Sequence, residues 1–265
     1  MVGDEKLARR LESFQAAVSA EMAVALNRVA PEVHAAVLPV GEGNALFAGP
    51  DSPLTQAIAV DGEVERIEAF FLERGADSII QVNPWSPRSL TDPLTARHYA
   101  FHEFENVFAC VVERRPSPAA GEPIEVREAT DIPLWARIAA EAFASEEMSA
   151  DVLETIMTPF AHVEHARCYI AYVGGEAAGS AAMFALPDRK IAGLFGAGTG
   201  ERFRNRGVQT ALLHRRLADA AKMGCEIAMV TTQPGSASHR NVARRGFELL
   251  YTKVSMRLDR RVRRA

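Results

Sequence analysis

Ten residues constrain the fold more than any other stretch: Arg204-Asn205-Arg206-Gly207-Val208-Gln209-Thr210-Ala211-Leu212-Leu213. They join a run of small residues ending in Thr199-Gly200 to a strongly periodic segment. A strand that enters a basic, glycine-containing turn and then a helix start aims several backbone N–H groups at one point. The helix N-terminus adds its partial positive charge there, so the unit suits an anion such as a phosphate. Arg202, Arg204 and Arg206 flank the same turn, and Gly207 leaves room for close approach.

The downstream pattern extends this unit. Residues 208–223 read as a helix with Val208, Leu212, Leu213, Leu217, Ala220 and Ala221 on one face and Arg215, Arg216, Asp219 and Lys222 on the other. Gly224 stops it. Residues 227–232 read as a buried strand, and Pro234-Gly235 break it. A short helix follows over 236–245, then Gly246-Phe247, then a last strand over 248–258. This order, with the loop Arg204-Asn205-Arg206-Gly207-Val208-Gln209 and the later Gly246-Phe247, resembles the GCN5-related N-acetyltransferases over residues 124–258. The loop falls on that family's acetyl-CoA pyrophosphate motif. Two positions depart from the family. Gln209 stands where a Gly or Ala is usual, and Val242 stands where a catalytic Tyr is frequent.

The chain has 265 residues, a length that suits two modest domains. Residues Arg115-Pro116-Ser117-Pro118-Ala119-Ala120-Gly121-Glu122-Pro123 hold three prolines and read as a linker. The expected division is therefore a domain over 1–115, a Pro-rich linker over 116–123 and a domain over 124–260. In the first, helices are expected over 4–29, 64–74 and 90–96, and strands over 33–40, 45–48, 56–60, 78–82 and 104–112. Residues 75–112 repeat the order of residues 224–256: strand, Pro break, short helix, small turn, strand. His98-Tyr99 stands where Gly246-Phe247 stands in the second copy. The first half thus reads as a degenerate copy of the acetyltransferase-like unit. Its counterpart of the phosphate loop, Val60-Asp61-Gly62-Glu63-Val64-Glu65, is acidic and repels a pyrophosphate. The expected fold is α/β (α+β): two similar units of the acyl-CoA N-acyltransferase kind, each a mixed, largely antiparallel sheet flanked by helices.

Composition narrows the function. A net charge of −4 argues against nucleic acid as the main partner. The Arg-rich end, Arg257, Arg260, Arg261, Arg263 and Arg264, reads as a solvated tail. Cys110, Cys168 and Cys225 lie in apolar contexts without metal or redox spacing, as reduced core thiols of a cytoplasmic protein do. No apolar run is long enough to span a membrane, and the N-terminal residues do not read as a signal peptide.

Acetyl transfer to an amine needs a held donor, a neutral amine and a site for the tetrahedral oxyanion. The cofactor-binding set implied by the resemblance begins with Arg204, Asn205, Arg206, Gly207, Val208, Gln209 and Thr210 at the pyrophosphate. It continues with Ala197, Gly198 and Thr199, whose backbone pairs with the pantetheine arm. Ser238 and Asn241, three apart on the last short helix, are further polar candidates, while Ser236 reads as either cap or contact. The catalytic acid and base are not identified. Glu141, Glu146, Glu147, His162 and His165 are base candidates that read equally as surface groups, and Tyr251 is the nearest Tyr. His162, Glu164 and His165 make no convincing metal site, so no metal is expected. The expectation is an acetyl-CoA-dependent N-acetyltransferase of a small-molecule amine or amino acid, a monomer or homodimer. A non-catalytic CoA-binding sensor or scaffold is the alternative, and another CoA-thioester chemistry, such as decarboxylation or hydrolysis, is a third reading.

Overall fold

The computed structural model describes residues 3–112, 124–144 and 148–259. The expected linker over 116–123, the base candidates Glu146 and Glu147, and tail residues Arg260, Arg261, Arg263 and Arg264 lie outside them. The chain divides into two compact units, one of residues 1–110 and 231–265, the other of residues 111–230.

The first unit opens with α1 (Glu5–Val29). The Asp4 side chain caps it, accepting from the Leu7 N–H at 2.7 Å. Ala8, Leu11, Phe14, Met22 and Leu26 form its buried stripe. Strands β1 (Ala36–Val40) and β2 (Gly43–Phe47) form the expected hairpin. Asn44 of β2 accepts from Ser19 and donates to the Ala16 carbonyl, which ties the hairpin to α1. Strand β3 (Gln56–Ile58) leads through α2 (Val64–Leu72) to a parallel partner, β4 (Ser78–Val82). Ile67, Phe70 and Phe71 of α2 point into the core as expected, each contributing about 1.5–3 kcal/mol of burial. Helix α3 (Arg88–Ala96) and strand β5 (Ala100–Val111) complete the run. His98 takes the left-handed turn and Tyr99 is core, its hydroxyl donating to Ser78.

The same unit holds α7 (Ala237–Ala243) and β11 (Glu248–Leu258). Strand β11 is antiparallel to both β4 and β5, so the order is β1-β2-β3-β4-β11-β5. Here the structure differs from the sequence-based division. The expected domain over 124–260 gives its last strand to the compact unit of the first half. A strand's partners are set by backbone hydrogen bonding and face matching, which are non-local. Charged side chains on β11 are buried but paired. Lys253 donates to Gln15 at 2.8 Å and lies 3.2 Å from Glu105 and 3.8 Å from Glu12. Tyr251 donates to Glu12 at 2.7 Å.

The second unit contains β6 (Ile124–Glu128), α4 (Ile132–Phe143), α5 (Ala150–Met157), β7 (Ala166–Val173), β8 (Glu176–Leu186), β9 (Ile191–Thr199), α6 (Val208–Lys222) and β10 (Ile227–Thr232). The last two residues of β10 group with the first unit. The strand order is β6-β7-β8-β9-β10, antiparallel except for the parallel β9–β10 pair. Asp131 caps α4, accepting from the Leu134 N–H at 2.9 Å. A side chain at Gly198 would strike Ala142 of α4, and one at Gly179 would strike Val208 of α6. Gly198 pairs with Ser180, next to Gly179 on β8, so α4 and α6 cover opposite faces. Trp135 of α4 is fully buried and donates its indole N–H to the Ala181 carbonyl at 3.0 Å. Strands β1 to β4 with α2 thus repeat the pairing pattern of β7 to β10 with α6, which gives two similar units of α/β type. No helix among the described residues is long and apolar enough to cross a membrane.

Candidate functional site

Strand β9 departs from regular geometry near its end. Its register against β8 runs from Ile191↔Leu186 to Phe195↔Ala182, then resumes at Gly198↔Ser180. One extra residue on β9 makes a bulge at 196–197. Gly196 sits at φ +58, in the left-handed region that favours glycine. Against β10 the parallel ladder covers only Ile191↔Ile227 to Gly193↔Met229. The rest of β9, residues 194–199, runs on past that ladder, as a splayed strand does.

Beyond Thr199 the chain makes a short 3-10 turn, Glu201–Phe203. Phe203 is buried, and the guanidinium groups of Arg202 and Arg206 lie 4.7 and 5.5 Å from its ring centre. Arg202 also pairs with Glu176 at 2.6 Å. Asn205 at φ +63 and Gly207 at φ +88 then swing the chain onto α6. A side chain at Gly207 would meet only Ile124 Cδ1, at 3.6 Å, so backbone conformation rather than space selects glycine. No side chain caps α6, and its first turn holds no acidic residue. Gly207, at the N-cap position, has no side chain with which to cap the first turn.

Arg204, Asn205, Arg206 and Gly207 are exposed, Val208 is buried, and Gln209 and Thr210 are half-buried. Ala197 and Thr199 are half-buried and Gly198 is buried under α4. The structure thus brings together the loop and the end of β9. Ser238 and Asn241 are exposed on α7, in the unit of residues 1–110 and 231–265. Ser236 is the α7 cap, its hydroxyl accepting from the His239 N–H at 3.1 Å.

Sequence periodicity placed Arg215, Arg216 and Asp219 on a solvent face. The structure buries Arg216 and Asp219. Arg216 donates to the Leu212 and Ala182 carbonyls at 3.2 Å and to the Phe195 carbonyl at 3.4 Å. Ala182 and Phe195 are the last matched pair before the bulge. Full burial, unrelieved by a carboxylate, lowers the Arg216 pKa to about 10. A signal was present, since Arg216 continues the i,i+4 row Val208, Leu212, Ala220. Asp219 accepts from Arg215 at 2.7 Å, Lys222 at 2.9 Å and the Tyr169 hydroxyl at 3.2 Å. Burial pushes its pKa up, but the bonds from Arg215 and Lys222 outweigh burial and hold it below the ordinary aspartate value.

Residues 132–247 match the Acetyltransferase (GNAT) family. That stretch of the chain is similar to this family. Its fold is similar to a GCN5-related N-acetyltransferase from Kribbella flavida, at 15% identity and a TM-score of 0.65 over 89% of this chain and 95% of that one. It is also similar to a tandem GNAT protein from the clavulanic acid biosynthesis pathway, at 14% identity and a TM-score of 0.61 over 91% and 87%. A GCN5-related N-acetyltransferase from Sphaerobacter thermophilus aligns at 15% identity and a TM-score of 0.52 over 77% and 71%. At such identities the likeness is one of fold. No curated protein shows significant sequence similarity to the chain.

Within residues 132–247 two departures from the family pattern acquire a geometry. Val242 is a core residue of α7. Gln209, at the small-residue position of the loop, folds back so that its amide donates to the Ala197 carbonyl at 3.2 Å. Tyr251 is buried on Glu12, and burial first, then the Glu12 carboxylate, raise its pKa far above the ordinary tyrosine value. Glu141 is exposed, and His162 and His165 are half-buried. Burial raises the Cys168 thiol to about 12 and the Cys225 thiol to about 11, so neither is a reactive thiolate at neutral pH. Among the described residues no group of three or more His, Cys, Asp or Glu is placed to hold a metal ion.

Proposed function

We propose that the protein is an acetyl-CoA-dependent N-acetyltransferase acting on the amine of a small molecule or an amino acid. The observation that carries this reading is the conjunction of an uncapped α6 with the strand end beside it. First-turn N–H groups, the helix's partial positive charge, Arg204 and Arg206 favour a pyrophosphate. Residues 194–199, beyond the β9–β10 ladder, offer backbone groups to an extended arm bearing amides.

In this reading the loop holds the donor thioester near the bulge of β9. The amine nitrogen attacks the thioester carbonyl carbon, a C–N bond forms and the C–S bond breaks. CoA departs as its thiolate, and the nitrogen sheds a proton. Holding donor and amine together supplies much of the rate. Backbone N–H groups freed by the bulge are suited to the developing oxyanion. Tyr251 is committed to Glu12, so the thiolate leaves in this reading without a tyrosine acid.

The second reading is a CoA-binding sensor or scaffold. The buried Val242 and the Gln209–Ala197 bond favour it. Mixing the protein with acetyl-CoA and a panel of amines, while following release of free thiol, separates the two. Amine-dependent release supports the transferase. CoA binding without release from any amine supports the sensor.

A further inference from the structure

Gln209 is the second residue of α6, and its amide Nε2 reaches back across the loop to the Ala197 carbonyl at 3.2 Å. Ala197 lies in the β9 bulge, beyond the last β9–β10 pair, Gly193 with Met229. A strand carbonyl at such a place has lost a regular ladder partner and needs a donor from elsewhere. An amide N–H is the donor that a neighbouring strand, or an extended ligand adding to a strand edge, would supply. The Gln209 side chain provides the same chemical group from within the chain. Nearby, the Thr199 hydroxyl oxygen is buried without a hydrogen-bond partner, so the same stretch also presents an unsatisfied polar group.

We propose that Gln209 is a latch on the donor site, competing with the amide-bearing arm of CoA for the Ala197 carbonyl. The inference rests on the acyl-CoA reading above. With the site empty, the latch keeps the end of β9 satisfied. Donor binding has to release it, so the latch weakens capture of the arm and leaves the pyrophosphate end untouched. Gln209 is a specificity-determining residue in this account, because ligands without an amide arm do not meet it.

Calorimetric titration of the full chain with CoA and with 3′-phospho-ADP, which has the pyrophosphate but no pantetheine arm, tests this. Gln209→Ala removes the side chain, and Gln209→Met keeps its bulk while removing the amide. Both variants are expected to bind CoA about three- to tenfold more tightly than the unaltered protein, with 3′-phospho-ADP affinity unchanged, the size of one net hydrogen bond. Weaker CoA binding in either variant, an equal change for both ligands, or tightening by Ala but not by Met would overturn the latch. If the unaltered protein binds neither ligand, the acyl-CoA reading itself fails and the latch falls with it. If it binds both and the variants do not tighten, only the latch fails.

Discussion

Helices α2 and α6 each connect an antiparallel-paired strand to a parallel partner, and each is entered through a left-handed residue, Glu63 at φ +54 and Gly207 at φ +88. Neither has a side-chain cap. The backbone path is therefore shared, and the chemistry laid on it is opposite. At α2, Glu63 pairs with Arg66 at 2.7 Å and Glu65 sits in the first turn. The Asp61 carbonyl takes a hydrogen bond from Ser89 at 2.6 Å. At α6 the entrance is flanked by Arg204 and Arg206, and no acid lies in the first turn. The strands before the helices differ too. β3 is a three-residue strand, whereas β9 has nine residues and a bulge. A repeat can keep its path through a turn while its capacity for an anion is set by a few side chains.

The largest effect is expected from reversing charge at one entrance only. Arg204→Glu together with Arg206→Glu should lower acetyl-CoA affinity by about 100-fold or more, read by calorimetry. Glu63→Gln, the control at the other entrance, should leave affinity unchanged. A loss from the Glu63 change, or none from the arginine pair, breaks the contrast.

A smaller effect concerns the charge each helix buries. Glu68 of α2 is buried but paired with Arg97 at 2.8 Å, whereas Arg216 of α6 donates to carbonyls and, among the described residues, forms no ion pair. Arg216→Met leaves those carbonyls without their donor and should cost about 1–3 kcal/mol in denaturant unfolding. Arg216→Lys should recover only part of this, since an ammonium lacks the planar fork. A fully stable methionine variant would show that the bulge holds without the guanidinium.

The smallest effect lies in the acid limb. The Asp219 carboxyl titrates below its unfolded value, so its contribution is present above the unfolded pKa of about 3.9 and is lost as pH falls through the lower folded value. Asp219→Asn should flatten the acid-unfolding profile below about pH 4. The cost of burial offsets much of the gain from the Arg215 and Lys222 bonds, which keeps this contribution modest. An unchanged acid limb would remove Asp219 from the account.

Local features of this fold were legible in the sequence. Ser236 read as either cap or contact, and it is the cap of α7; Gly224 read as the stop of α6, and it takes the left-handed turn that follows that helix. The repeat was legible because His98-Tyr99 and Gly246-Phe247 punctuate matching positions, both turns being left-handed and both aromatics buried. The partners of β11 were not legible. Its own residues specify a strand, but its pairing with β4 and β5 depends on residues far away in sequence. Arg216 was misplaced because a charged residue on a helix reads as solvated unless its carbonyl partners are known. Gln209 was visible as a departure from the family pattern, while its bond to Ala197 depends on how closely β9 approaches α6.

The central contrast, one entrance suited to a phosphate and one not, is tested most directly by the stoichiometry of acetyl-CoA binding to the full chain. Calorimetric titration is expected to give one site per chain, with that site lost when Arg204 and Arg206 are both changed to Glu. Two sites per chain, or one site that survives the double change, would contradict it.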